Sequence, residues 1–198
     1  MIIYLEGVDG SGKTTLLNML AEKIDPIKII RGIELIKDAN KFIPTLPTVK
    51  DRVSSHDLVK EIKRMASDDT TIYLVDRGPI SDIIYRTFDE YKPVIDLDDI
   101  IKLLKPLIDD DRVLVLFCDS DKAYSKMLNR GDNNKIAITH HKQLRYLFNN
   151  IMPLFSNYKV DMFSNDKDVY NLIYRIIAYI SAVLWLRKDG VYHIWINT

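Results

Sequence analysis

Residues 7–14 read Gly7-Val8-Asp9-Gly10-Ser11-Gly12-Lys13-Thr14, a complete G-x-x-x-x-G-K-[ST] pattern. Each fixed position has a physical task. Glycine tolerates positive φ, so successive backbone N–H groups can converge on a phosphate chain without side-chain clashes. Lys13 has the reach for β- and γ-phosphates, and the Thr14 hydroxyl suits Mg²⁺. The flanks supply the required context. Met1-Ile2-Ile3-Tyr4-Leu5 is an apolar run suited to a buried strand, and residues 15–23 carry apolar side chains at helical spacing. The loop therefore opens a helix, whose N-terminal dipole favours anions. The chain has only seven glycines in 198 residues, yet three stand at 7, 10 and 12, which weighs against a chance glycine-rich turn. The motif implies a nucleotide-binding loop formed by Gly7, Asp9, Gly10, Ser11, Gly12, Lys13, Thr14 and Thr15, taking ATP with Mg²⁺.

Charge and cysteine content exclude other classes. Lysine plus arginine and aspartate plus glutamate both number 28, so the formal net charge is zero. That balance argues against an extended nucleic-acid surface, while leaving room for a local basic cleft. The one cysteine, Cys118, rules out an internal disulfide framework, and no secretory signal opens the chain, so a cytoplasmic location is expected. Cys118 closes the apolar run Val113–Phe117 and reads as a core thiol. Residues 169–186 approach bilayer-spanning length. Asn171 and Arg175 interrupt them, however, and Leu172, Ile173, Ile176, Ile177, Ile180, Val183 and Leu184 form a helical stripe. A helix packed on the domain is expected there, with no membrane partner.

Strand-like and helix-like segments alternate along the chain. Ile27–Ile30 reads as a second strand and 33–55 as a substrate-side loop. Residues 56–65 form an amphipathic helix with Leu58, Val59, Ile62 and Met65 on one face. Thr71–Val75 is a β-rich run ending on Asp76. Helices are expected over 79–91 and 97–108, and Val113–Phe117 is another strand. Ser120 or Asp121 caps a helix running to about Leu128. A long helix spans about 139–158, kinked or divided at Pro153. Residues 159–163 form the last strand, followed by a helix from Asp168. The order predicts one α/β P-loop domain over 1–198, a parallel sheet of about five strands flanked by helices on both faces. A short lid lies at about 129–137. A C-terminal extension at about 187–198 alternates like a strand and is free to pair with the sheet or another subunit.

Ligands of such sheets gather at the C-terminal strand ends. Here those ends carry the P-loop, Arg31-Gly32, Asp76-Arg77-Gly78 and Cys118-Asp119-Ser120-Asp121. Asp76 is placed to orient a Mg²⁺ shell. Arg77 beside it can grip phosphate oxygens in a bidentate way that lysine cannot.

Glu6-Gly7-Val8-Asp9-Gly10-Ser11-Gly12-Lys13-Thr14-Thr15 resembles the P-loop of thymidylate kinases, which reads E-G-x-D-G-x-G-K-T-T. Asp76-Arg77 with Ser81 and Tyr85 resembles that family's D-R-Y-x-x-S-x-x-A-Y segment and its deoxynucleoside-kinase relatives. The resemblance extends over about residues 1–180. It implies that Lys13 and Thr14 hold ATP phosphates and Mg²⁺, and that Asp76 supports the metal. It also implies that Asp9 meets the acceptor's 3′-hydroxyl and Arg77 the acceptor phosphate and transferring group. Arg130 matches the start of the lid that folds over ATP; some members carry a catalytic arginine in the P-loop, where this chain has Gly10 and Ser11, so that arginine would come from the lid or elsewhere. Arg31 matches the arginine ending strand two, and Arg52 with His56 parallels a base-side Arg-x-x-His at a spacing one residue longer. Gly78 stands where the family has tyrosine. The family's habit implies a homodimer, and its partner is a small-molecule nucleotide.

Three other readings stay open at this level. A deoxynucleoside kinase would need a carboxylate base for a neutral 5′-hydroxyl, with Glu34 or Asp76 available. A kinase acting on a nucleotide within DNA is weakened by the zero net charge. A GTPase-like switch lacks N-K-x-D, since Asn134-Lys135-Ile136-Ala137 ends in alanine, and lacks D-x-x-G. His140-His141 cannot share a helix face and read as a surface pair. Tyr146, Phe148 and Phe155 read as core of the long helix.

Overall fold

A computed structural model describes residues 1–23, 27–31, 63, 65–67, 72–88, 105 and 109–187. All five residues of β1 (Ile2–Glu6) are buried, as expected for a strand covered on both faces. It is the central strand of a five-stranded parallel sheet with β2 (Ile27–Arg31), β3 (Ile72–Asp76), β4 (Val113–Cys118) and β5 (Tyr158–Val160), in the order β2-β3-β1-β4-β5. Parallel pairing forces helical crossovers, which among the described residues include α1 (Lys13–Ala21), α2 (Pro79–Arg86), α3 (Ala123–Asn129), α4 (Lys135–Thr139) and α5 (His141–Ile151), and α6 (Asp166–Arg187) follows the last strand.

The period-two alternation of side chains divides the core in two. On one face Tyr4, Val75, Val115 and Phe117 meet Ile80, Ile83 and Ile84 of α2 and Leu144, Phe148 and Ile151 of α5. On the other, Ile3, Leu5, Leu74, Leu114 and Leu116 meet Leu16, Leu17 and Leu20 of α1 and the Ile173, Ile176, Ile177, Ile180 and Val183 stripe of α6. The helices after β1 and β3 thus leave on opposite faces, although the two strands are neighbours in register, Leu5 opposite Asp76. Such a switch point opens a crevice at the strand ends. It brings the P-loop against Asp76-Arg77.

Several local expectations are corrected. The helix expected over 139–158 is shorter: α5 runs from His141 to Ile151, and the division expected at Pro153 is present as the 3₁₀ turn Met152–Leu154, where the proline stands in the first turn and an N–H would be unused. Tyr158 belongs to β5, which ends at Val160 rather than at 163. Helix α3 starts at Ala123 with no side-chain cap. Helix α6 starts at Asp166, where Asn165 Oδ1 accepts from Asp168 N at 3.0 Å. Phe148 and Phe155 are core, but Tyr146 is 69% exposed, because Leu144, Phe148 and Ile151 occupy the inner face of α5. His141 is buried against the Tyr124 ring at 4.9 Å, and His140 stacks on Phe88 at 4.7 Å, so neither is a plain surface residue. Among the described residues no helix is long and apolar enough to cross a membrane. The expected loop at 33–55, the C-terminal extension, and most of the helices expected at 56–65 and 97–108 lie outside the described residues.

An ion-pair cluster ties α5 and β5 to the end of β4. Arg145 Nε lies 2.6 Å from Asp119 Oδ1 and its Nη1 2.6 Å from Asp121 Oδ1, and Lys159 Nζ is 3.0 Å from Asp119 Oδ2. Burial opposes ionisation of Asp119, but the bonds from Arg145 and Lys159 win and hold its carboxyl below the usual range. Its contribution to stability is therefore present at neutral pH and lost as the pH falls below that range.

Candidate functional site

The P-loop is wedged against two neighbours. Gly10 has φ 81°, and a Cβ there would lie 2.0 Å from Ala123 O and 2.9 Å from Met127 N of α3. No other residue fits that backbone. Lys13 is buried, and its Nζ donates to Gly7 O at 2.9 Å and Val8 O at 2.7 Å, closing the loop on itself. Burial lowers its pKa, against the opposing pull of Asp76. Helix α1 has no acidic residue in its first turn, so its N-terminal dipole is left for an anion.

Asp76 ends β3 beside α1. Thr14 Oγ1 donates to Asp76 Oδ2 at 3.4 Å, whereas Asp76 Oδ1 is buried with no protein partner, as is Ser11 Oγ in the loop. A hydroxyl and a carboxylate oxygen at the mouth of a phosphate loop are the hard-oxygen donors that Mg²⁺ prefers, so these residues fit the metal.

Arg77 has φ 72°, a left-handed conformation uncommon outside glycine. Its Nη2 bonds Asp9 Oδ1, and its guanidinium lies 5.0 Å from the Tyr85 ring centroid. The Tyr85 hydroxyl donates to Asp9 Oδ2 at 3.1 Å and accepts from Asp9 N at 3.2 Å. Burial raises the Tyr85 pKa, so this phenol stays neutral. Asn134 Nδ2 adds a third donor to Asp9, at 3.2 Å from Oδ2. Arg130 pairs with Asp132, Nη2 to Oδ2 2.5 Å, and is largely exposed. A cavity of about 580 Å³ gathers Asp9, Gly10, Gly12, Lys13, Thr14, Asp76, Arg77, Arg130, Asp132, Asn133 and Asn134.

Most of the expected site residues therefore converge. Arg31 ends β2 with its Cα in register with Asp76, and nothing further is described of it; Arg52 and Glu34 lie outside the described residues. Within 129–137, where a lid is expected, α3 ends at Asn129 and α4 begins at Lys135, so residues 130–134 form the connection, from the cap residue Arg130 to the cap residue Asn134.

Three residues at the site escaped sequence reasoning as interacting groups. Glu6 is fully buried. Its carboxylate accepts from Ile80 N at 3.1 Å, Ser81 N at 3.0 Å and the Ser81 hydroxyl, capping α2, whose own cap residue Gly78 has no side chain. A Cβ on Gly78 would meet Tyr4 at 2.5 Å and Glu6 at 2.6 Å, which explains glycine where the similar family carries tyrosine. Burial raises the Glu6 pKa against the pull of those donors. Glu6→Gln is expected to cost about 1–3 kcal/mol in thermal or urea unfolding, because an amide NH₂ must face helix N–H groups. The signal was a carboxylate ending an otherwise apolar buried strand. Tyr85 and Asn134, the other two, carry no comparable signal, since their partner is remote in sequence.

Among the described residues five parallel strands, a phosphate-loop motif after β1 and Asp76-Arg77 at the end of the adjacent β3 define the P-loop NTPase fold. No protein-family model matches the sequence, and no curated protein sequence does. Solved structures match at the level of fold. YorR from Bacillus subtilis, solved in complex with phosphorylated GDP, shares 18% identity with a TM-score of 0.60, over 98% of this chain and 100% of that one. Thymidylate kinase from Candida albicans shares 20% identity at a TM-score of 0.54, over 92% of this chain and 91% of that one. Shikimate kinase from Acinetobacter baumannii, in complex with shikimate, shares 15% at 0.50, over 92% of this chain and 93% of that one.

Proposed function

We propose that this chain transfers the γ-phosphoryl group of ATP to the phosphate of a deoxynucleoside monophosphate, thymidylate-like, giving the diphosphate. One observation carries the reading: Arg77, held on Asp9, faces the same cavity as Lys13, Thr14 and Asp76. An arginine between donor loop and acceptor side suits a reaction in which both substrates are anions. A phosphate acceptor needs no strong base, so catalysis rests on positioning and charge neutralisation. Lys13 and the P-loop amides hold the donor phosphates, and Arg77 holds the acceptor phosphate. Thr14 and Asp76 would hold Mg²⁺, which when bound neutralises phosphate charge. A homodimer, as the similar family forms, is part of the same proposal and is checked by sedimentation.

The reading assigns Arg130 to the transferring group. Arg130→Ala is expected to lower turnover by about 10³-fold while changing ATP affinity far less; equal turnover removes Arg130 from the chemistry. In the structure Asp132 competes for that guanidinium. Asp132→Asn is therefore expected to tighten Mg-ATP binding, by no more than about fivefold because exposed pairs are weak. Calorimetric titration with a non-hydrolysable ATP analogue measures it.

A second reading, a deoxynucleoside kinase, is favoured by the unpartnered Asp76 Oδ1, which would serve as base for a 5′-hydroxyl. ADP release is measured with Mg-ATP against deoxynucleoside monophosphates and free deoxynucleosides. Activity on monophosphates alone supports the first reading, and activity on nucleosides alone replaces it with the second.

A further inference from the structure

We infer that Asn134 is a positioning residue that holds the Arg130-bearing loop over the P-loop by acting through Asp9. The inference rests on the phosphoryl-transfer reading of the site. Both ends of the Asn134 amide are used. Its Oδ1 accepts from Ala137 N at 3.2 Å and caps α4, while its Nδ2 donates to Asp9 Oδ2 at 3.2 Å, bridging 125 residues of chain. Aspartate caps a helix equally well but has no donor for Asp9, and serine caps it but is too short to span both partners. The amide performs both tasks at once.

The loop between α3 and α4 is pinned at each end. At its start Gly131 is left-handed with φ 71°, its N–H donates to Leu128 O at 2.9 Å, and Asp132 N donates to Met127 O at 3.4 Å, closing α3. At its end Asn134 is tied to Asp9. Arg130, Asp132, Asn133 and Asn134 all line the cavity of the P-loop. With both ends fixed, the span that carries Arg130 has few places to go, which is the preorganisation that a charge-stabilising arginine needs. Asp9 is the shared anchor: Oδ1 takes Arg77, and Oδ2 takes Tyr85 and Asn134. One carboxylate thereby sets both arginines relative to the same phosphates.

The test uses the full chain with Asn134→Ser and Asn134→Asp, both of which keep the α4 cap, so thermal unfolding should stay close to wild type. With Mg-ATP and the accepted substrate, N134S is expected to lose about tenfold to hundredfold in kcat, with the ATP KM within about threefold. N134D, which keeps the cap but brings a second carboxylate against Asp9, is expected to lose more than N134S. Arg77 and Tyr85 contact the Asp9 carboxylate, and Lys13, Asp76, Arg130 and Asp132 line the same cavity. These groups are common to both variants, so the N134D/N134S ratio isolates the pair. N134S turning over at the wild-type rate overturns the inference, as does N134D turning over no slower than N134S. A wild type that phosphorylates no monophosphate removes the acceptor assignment only. Slow Mg-ATP hydrolysis then carries the same comparison among the three proteins, with equal rates overturning the inference.

Discussion

Arg77→Gly is expected to lose about three orders of magnitude of turnover and yet to be more stable than Arg77→Ala by about 1 kcal/mol. Ordinarily alanine is the more stable of the two, since glycine carries more freedom in the unfolded chain. At this position the order inverts. Residue 77 has φ 72°, where a Cβ crowds the following carbonyl. Both variants forfeit the same contacts, the ion pair to Asp9 and the stacking over Tyr85. The pair is partly exposed, so its loss costs at most about 1 kcal/mol. Only glycine relieves the backbone. The strain belongs with function: it turns the chain at the end of β3, where Arg77 N donates to Leu5 O at 3.0 Å and the guanidinium reaches the P-loop aspartate. Urea unfolding of the two variants beside their initial rates decides the matter. Equal stability would remove the strain argument, and turnover within tenfold of wild type would remove Arg77 from the reaction.

Lys13→Met is expected to combine a loss of fold stability with a loss of ligand response. The side chain is 6% exposed, and its Nζ satisfies the carbonyls of Gly7 and Val8. Methionine fills most of the volume but donates nothing, leaving two loop carbonyls short of a partner at about 1–3 kcal/mol each. The same change removes the cation that the proposed reading sets on the donor phosphates. Wild-type protein at about a hundred times Kd of Mg-ATP gains about 2.7 kcal/mol by linkage. The variant should gain almost none. Thermal unfolding with and without Mg-ATP reads both effects together, and a variant that keeps the wild-type upward shift would show that Lys13 is structural alone.

Much of the architecture was legible because it is written in local periodicity. Runs such as Ile2–Leu5 and Val113–Phe117 read as buried strands, and the α6 stripe as one packed face, because apolar patterning follows the repeat of the element that buries it. The P-loop was legible for a different reason: its backbone geometry and its chemistry need specific residues at consecutive positions. Helix boundaries were less so. The break at His140 and the 3₁₀ turn at Pro153 carry no side-chain cap, and Asn134 and Asn165 cap their helices without a mark that separates them from any other asparagine. The exposure of Tyr146 follows from the rotation of α5 on the sheet, which a run of aromatic residues does not announce.

Sequence alone was enough for the class of fold, the P-loop motif and the placing of Asp76-Arg77 at a strand end. Tertiary structure alone decided who meets whom. Pairing of β1 with β3 sets Asp76 against Thr14, 62 residues away, and the close approach of α3 to the P-loop at Gly10 brings the start of α4, with Asn134, to Asp9. It likewise turned Glu6 from a strand-end carboxylate into the cap of α2. Periodicity encodes only which face of a segment is apolar. Which segments share that face is chosen by the burial of both sheet surfaces at once, and each of these long-range hydrogen bonds follows from that choice.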